Sequence, residues 1–248
     1  MDDLSPPRYA ALVAPAIDRV HLSVHERTRR DHGATLMRYG VPRRGLGLLV
    51  SLRFVLPRGA LRRPAFALAA RYHDPAEVDR AVGELVADGW LVPDEHGPAP
   101  DALTPDERCA AFLHALYDAH AEVTTAAWEP RATSLPGLAA MAGRLLAGAV
   151  PSGGPSFDVF CPPYERAGDP PGVLLFNRLA ALRYHRSDAH VAAWSAAGLT
   201  AATMRGLAAD DPRRAGIEAE TDRLAAPAYG VLSTAERLDL LAGLATLA

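Results

Sequence analysis

The fold prediction rests on the stretch Asp74-Pro75-Ala76-Glu77-Val78-Asp79-Arg80 and on the residues that follow it, up to Gly89 and Trp90-Leu91-Val92. Asp74 is a good N-cap for a helix that has Pro75 as its first residue. Apolar residues recur on one face of this helix, which is predicted to stop at Gly89. Trp90-Leu91-Val92 and Ala102-Leu103 flank a proline-rich segment. This arrangement predicts a helix followed by a two-stranded wing.

Helical patterns lie on both sides of this stretch. Upstream, residues 64–72 predict a short helix, and an apolar run covers residues 46–56. Further upstream, apolar residues spaced three and four apart predict a first helix up to about Asp31. Downstream, Thr104 is predicted to cap a long helix, with Glu107 completing a capping box.

The order of short helix, turn, helix, wing and long helix resembles the MarR-type winged helix over about residues 45–128. In that family the segment 74–80 opens the recognition helix. The resemblance implies a ligand-responsive transcriptional regulator that binds DNA as a dimer.

Part of this pattern recurs near the end of the chain. Leu232-Ser233-Thr234-Ala235-Glu236-Arg237 echoes Leu103-Thr104-Pro105-Asp106-Glu107-Arg108, which suggests a degenerate duplication. We therefore predict a mainly α fold with two winged-helix-like, helix-turn-helix units and at most a small β-hairpin wing. The predicted segments are an N-terminal helical segment (1–44), a MarR-like unit (45–130), a helix plus a Pro/Gly-rich loop (131–172) and a second, degenerate unit (173–248).

The Pro/Gly-rich loop covers residues 151–172 and is predicted to be a structureless lid over a pocket. After it, residues 173–186 and 189–197 predict two helices, with Ser187 and Asp188 capping the second. Residues 200–207 predict a further helix.

The charge pattern argues against DNA recognition. The first 64 residues hold twelve arginines and five acidic residues, whereas residues 65–128 hold three and twelve. The recognition segment carries Asp74, Glu77 and Asp79 beside Arg80, and the predicted wing has three acidic residues and no arginine. Carboxylates at these positions oppose phosphate binding. We predict that the scaffold no longer reads DNA, with a MarR-type regulator as the alternative.

A dense polar cluster spans Tyr184-His185-Arg186-Ser187-Asp188-Ala189-His190. If it performs chemistry, His190 is the general base, Asp188 orients it, Arg186 binds an anion and His185 is the general acid. The alternative is that Asp188 or Ser187 caps the second helix, whereas His185 and Arg186 interact favourably with the dipole at the C-terminal end of the first.

Residues 185–199 are similar to an actinobacterial helix-turn-helix family of unassigned function whose pattern is approximately His-Arg-Gly-Asp-Gly-His-Val-Ala-Ala. This chain has Ser187 and Ala189 in place of the glycines. The resemblance implies an architecture rather than an activity.

A second histidine group lies on the first predicted helix. His21 and His25 are four residues apart and share a face, which is the spacing of a chelating pair, although no third ligand is evident and a surface or pocket-lining pair is the favoured explanation. The sequence contains no motif that requires a cofactor, so the cofactor stays unknown and a histidine-bound metal stays open. We predict that ligand-binding residues are Tyr184, Trp194, His21, His25 and Tyr164.

These patterns predict a small-molecule-binding protein, either an acid/base enzyme of bacterial specialised metabolism (natural product biosynthesis) or a non-catalytic sequestering protein. The chain has 248 residues and 49% hydrophobic residues, without an apolar run of the roughly 20 residues that a membrane span needs. Met1-Asp2-Asp3 opens acidic, and two cysteines cannot build a disulfide framework. We therefore expect a cytoplasmic monomer or homodimer.

Overall fold

The fold is mainly helical with one small antiparallel sheet. It was obtained as a computed structural model that describes residues 4–95, 97, 99–208 and 210–247. The acidic opening at residues 1–3, and His96 and Pro98 of the predicted wing, lie outside the described residues. The helices are α1 (Pro6–Met37), α2 (Arg43–Leu52), α3 (Arg63–Ala69), α4 (Pro75–Ala87), α5 (Glu107–Ala127), α6 (Leu135–Ala149), α7 (Pro155–Phe160), α8 (Pro171–Ala196), α9 (Ala201–Gly206), α10 (Pro212–Ala225) and α11 (Thr234–Ala245).

The sheet lies between α2 and α5 in the sequence. Its strands are β1 (Leu61–Arg62), β2 (Leu91–Pro93) and β3 (Ala102–Pro105), in the spatial order β1-β3-β2. Both pairs are antiparallel, with Leu61 opposite Leu103 and Val92 opposite Thr104. The two predicted wing strands are therefore confirmed, and β1 is a third strand that the hairpin prediction did not include.

The long helix α5 is capped by a different residue from the one predicted. Thr104 lies inside β3, paired with Val92, and so it is too far back to cap a helix. The Asp106 side chain instead accepts a hydrogen bond from the Cys109 backbone N–H at 2.8 Å. Asp74 caps α4 as predicted, accepting from the Ala76 N–H at 2.8 Å.

Three groups of buried residues hold the helices together, and the smallest consists of Ala193, Met204 and Ile217 on α8, α9 and α10. The other two are large. One lies among α2, α4, α5 and the sheet and includes Leu49, Leu85, Trp90 and Phe112. The other is formed mainly by α1, α6, α8, α10 and α11, with Phe176 of α8 among its members. Since α8 contacts α1, α5, α6, α7 and α10, it is the central helix of the fold.

The prediction of two separate helices within residues 173–197 is wrong, because α8 runs unbroken from Pro171 to Ala196. No glycine or proline interrupts residues 173–196, and Ser187 and Asp188 lie inside the helix. The polar cluster therefore lies on successive turns of one helix, which point its side chains to different sides.

The prediction that residues 151–172 lack regular structure is wrong for residues 151–160 and correct for residues 161–170, and the role of the segment as a lid stays a prediction. Residues 150–152 form a 3₁₀ turn, and α7 follows at Pro155–Phe160. Phe157 and Phe160 of α7 are buried, so the apolar aromatic side chains fix the segment against α8 and α3. Among the described helices, none combines the length and apolarity required to cross a membrane.

Candidate functional site

The structure divides the predicted site residues among separate places. One of these is a cleft of about 520 Å³ that we call the polar cleft. It lies among α1, α2, α3, α8 and α10. Three predicted residues, Tyr184, Arg186 and His190, line this cleft together with Tyr72, Arg71, Arg183, Asp18 and Glu218.

His190 has two polar neighbours in the polar cleft. Its Nδ1 lies 2.7 Å from the Tyr72 hydroxyl, and its Nε2 lies 3.7 Å from Oε1 of Glu218. Burial lowers the pKa of His190, an effect that the Glu218 carboxylate opposes. Arg186 donates to Glu218 at 2.9 Å and to Asp222 at 2.6 Å, so it is held by two carboxylates.

Asp188 is not the residue that orients His190, contrary to the prediction. Its carboxylate accepts hydrogen bonds from the backbone N–H groups of Ser156 at 3.2 Å and Phe157 at 2.8 Å. Its Oδ1 also lies 2.8 Å from Nη2 of Arg71. Asp188 therefore caps α7, a helix 31 residues upstream, rather than serving His190.

The remaining predicted residues lie outside the polar cleft. His185 is buried, with Nε2 3.0 Å from the Ser152 hydroxyl and its ring against Phe157. Trp194 borders a different cleft, which also contains Asp188. Tyr164 packs edge-on against Tyr117, with ring centroids 5.8 Å apart.

His21 and His25 share a face of α1, as predicted, and their Nε2 atoms lie 3.2 Å apart. They do not meet the polar cluster of α8. Instead the His25 ring contacts the ring of His120 from α5, with centroids 5.2 Å apart. All three imidazoles pack against Phe176. We call these three residues the histidine cluster.

Arg53 lies beside the histidine cluster and is 1% exposed. Its guanidinium stacks over Phe54 and Phe176, donates to the Val50 carbonyl at 3.0 Å and lies 3.4 Å from Oδ1 of Asn177. Its Nε has no hydrogen-bond partner, and no carboxylate among the described residues is near enough to act on its charge. Burial lowers the pKa of Arg53 to about 9.

The histidine cluster is held in the neutral state. Burial lowers the pKa of His25 to about 3, and the positive charge of Arg53 adds to the effect. Burial also lowers the pKa of His21 and His120 well below the ordinary value. Both ring nitrogens of His120 lack a partner within the described part of the chain, although this side chain is 1% exposed.

His25 and His120 reach a second cleft, of about 760 Å³, which we call the apolar cleft. It lies between α1, α2 and α5. The side chains that line it are mainly aliphatic or aromatic: Leu22, Leu36, Met37, Leu46, Val50, Phe112 and Leu116. Arg29 and Arg43 also border it, together with Glu26 and Thr28.

Four residues of these sites were missed by the sequence analysis: Arg53, His120, Tyr72 and Glu218. Two of them carried a usable signal. Arg53 interrupts the apolar run of residues 46–56, and His120 lies on the face of α5 that also carries Leu116 and Val123. A polar residue on an apolar face is the pattern that marks a buried functional group. Tyr72 and Glu218 carry no such signal.

The possibility of a histidine-bound metal finds no support in the geometry. Over the described ranges, no group of three or more histidine, cysteine, aspartate or glutamate side chains is arranged to hold a metal ion. Comparison with protein-family models, with curated proteins and with solved structures finds no match to this chain.

Proposed function

We propose that the protein binds a small amphiphilic anion in the apolar cleft, with the acidic head group at the histidine cluster. The observation that carries the proposal is the buried Arg53, whose charge no carboxylate of the described residues compensates. An isolated buried charge is costly, and an anion bound nearby compensates it.

The histidine cluster provides the hydrogen bonds for such a head group. A neutral imidazole has one N–H donor, and neither ring nitrogen of His120 forms a hydrogen bond with the described residues. A carboxylate that entered from the cleft would accept from His120 and His25 beside the Arg53 charge. A cation is disfavoured at the same place because Arg53 repels it.

The rest of the apolar cleft suits the body of such a ligand. Its volume of about 760 Å³ falls in the range of small-molecule sites, and its walls are mainly apolar with few polar groups. Arg29 and Arg43 at its border add positive charge. An apolar chain or ring that carries one acidic group therefore fits the cleft best.

The scaffold for this site is proposed to be a winged-helix unit. The chain order α2-β1-α3-α4-β2-β3-α5 and the sheet order β1-β3-β2 support this assignment. The order α8-α9-α10-α11, with no strand among the described residues after α8, fits the proposed second unit without a wing.

The test compares the affinity of the protein for octanoate, octanol and octylamine, which share an eight-carbon chain and differ in the head group. Each affinity is measured by isothermal titration calorimetry. We expect octanoate to bind at least about tenfold more tightly than octanol, a difference of about 1.4 kcal/mol, and octylamine to bind worst. Arg53→Met should weaken octanoate binding at least about tenfold and raise the free energy of unfolding by about 1–3 kcal/mol, because it removes a buried charge.

The matched control is Arg38→Met, since Arg38 is exposed and borders neither cleft. It should change neither octanoate binding nor stability. Equal affinity for octanoate and octanol, or full octanoate affinity in a folded Arg53→Met variant, contradicts the proposal.

A DNA-binding regulator is the second candidate, favoured by the same order of elements. The charges on α4 oppose it: Glu77 and Asp79 are exposed, and Nε of Arg80 donates to its own helix at Ala76, 3.2 Å away. We expect no binding of a labelled mixed-sequence duplex at low salt by fluorescence anisotropy. Tight binding that weakens steeply with salt would establish DNA binding instead.

A further inference from the structure

The polar cleft contains an arrangement of three side chains from three parts of the chain. Tyr72 comes from the turn between α3 and α4, His190 from α8 and Glu218 from α10. His190 Nδ1 is 2.7 Å from the Tyr72 hydroxyl, and Glu218 Oε1 is 3.7 Å from Nε2 on the opposite side of the ring. Tyr72 and His190 both line the cleft.

We infer that the polar cleft is a proton-transfer site, separate from the apolar cleft, for a small neutral carbon acid such as a carbonyl compound. Tyr72 and His190 transfer the proton, and Glu218 positions His190. This site goes beyond the proposed binding of an anion, because it uses other residues and predicts turnover.

The proposed transfer uses the tautomer of His190 that carries its hydrogen on Nε2, the side that faces Glu218. In this tautomer Nδ1 accepts from the Tyr72 hydroxyl, and the 3.7 Å between Nε2 and Glu218 makes their interaction electrostatic rather than a hydrogen bond. As Tyr72 Oη takes a proton from the substrate carbon, its own proton passes to Nδ1 of His190. The products are a substrate carbanion or enolate and an imidazolium, so protons and charge balance without a further reactant.

The charges around the cleft favour a neutral substrate. Arg183 is paired with Asp18 at 2.6 Å, Arg71 with Asp188, and Arg186 with Glu218 and Asp222. Because a carboxylate already pairs with each of these three arginines, they do not favour an anionic substrate over a neutral one. The anion formed in the reaction nevertheless lies near these guanidinium groups and the new imidazolium, which stabilise it.

The pH dependence follows from the groups that face His190. Glu218 on α10 raises its pKa, whereas burial, Arg186 on α8 and Arg214 on α10 lower it. Tyr72, from the turn before α4, is hydrogen-bonded to its Nδ1. Since the base form of His190 is required, the rate should fall on the acid side. Replacing Glu218 by glutamine removes the stabilising carboxylate and moves this acid limb to lower pH.

The test uses 5-nitrobenzisoxazole, a carbon acid from which a base removes the ring C–H proton while the N–O bond breaks to give a coloured cyanophenolate. We expect the full chain to accelerate this reaction. Tyr72→Phe and His190→Gln should each lower the rate at least about tenfold. Glu218→Gln should shift the acid limb of the pH profile to lower pH. The control His114→Gln, exposed on α5, should leave the rate unchanged.

Circular dichroism and thermal unfolding show whether each variant is folded. A wild-type rate no faster than that of a folded His190→Gln variant overturns the inference. So does a Glu218→Gln profile that coincides with the wild-type profile. Octanoate binding to the apolar cleft is measured separately, so failure of the proton-transfer site and failure of the proposed anion site are distinguishable.

Discussion

Replacing Asp188 by alanine is expected to lower the free energy of unfolding by about 3–5 kcal/mol, the usual cost of breaking a buried ion pair from one side. The Asp188 carboxylate accepts from the backbone N–H groups of Ser156 and Phe157 and pairs with Arg71 at 2.8 Å. The variant leaves the two backbone N–H groups unpaired and removes the carboxylate from Arg71, whose side chain is only 14% exposed and keeps only neutral acceptors, Ser156 Oγ and the Ser187 carbonyl. Urea unfolding measures the loss.

Asp158→Ala is the matched control, because Asp158 lies on the same short helix α7 but is exposed. It should change stability by no more than about 0.5 kcal/mol. If Asp188→Ala were as stable as this control, the anchoring of α7 by Asp188 would be refuted.

The case of Asp188 shows why local patterns misassigned the site. A serine and an aspartate before an apolar segment are typical of an N-cap, and the residue does cap a helix. The helix that it caps is α7, which precedes it by about 30 residues, and only the tertiary fold brings α7 there. Sequence periodicity indicates which face of a helix is buried, but it does not identify the partner.

Features that depend on neighbouring residues were predictable. The Asp74 cap of α4, the two wing strands and α6 follow from short-range signals in the sequence. The shared face of His21 and His25 likewise follows from helix geometry. The third member of their cluster, His120, is 95 residues further along the chain than His25 and was not predictable as its neighbour.

The second prediction with a large effect concerns the histidine cluster: the free energy of unfolding should fall when the pH drops below about 6.5. An unfolded histidine has an ordinary pKa of about 6.5. In the folded protein the pKa of His25 is lowered to about 3, and those of His21 and His120 are also well below the ordinary value. Below about pH 6.5 the three imidazoles therefore bind protons in the unfolded chain but stay neutral in the folded protein.

The sign and size follow from this difference in bound protons. The stabilisation is complete above the unfolded pKa and is lost as the pH falls towards the folded values. Each histidine lowers the free energy of unfolding by about 1.4 kcal/mol per pH unit. The three together therefore lower it by about 4 kcal/mol between about pH 6 and pH 5. Urea unfolding curves at these two pH values measure the change.

A single substitution separates the cluster from the carboxylates that also titrate in acid. His120→Leu removes one buried imidazole and should reduce the slope of stability against pH by about 1.4 kcal/mol per unit. His114→Gln removes an exposed histidine and should leave the slope almost unchanged. Equal slopes in wild type and His120→Leu would mean that the His120 pKa is not lowered. In that case the His120 ring would be solvated or hydrogen-bonded in the folded protein, and it would have no free N–H group to donate to an anion in the apolar cleft.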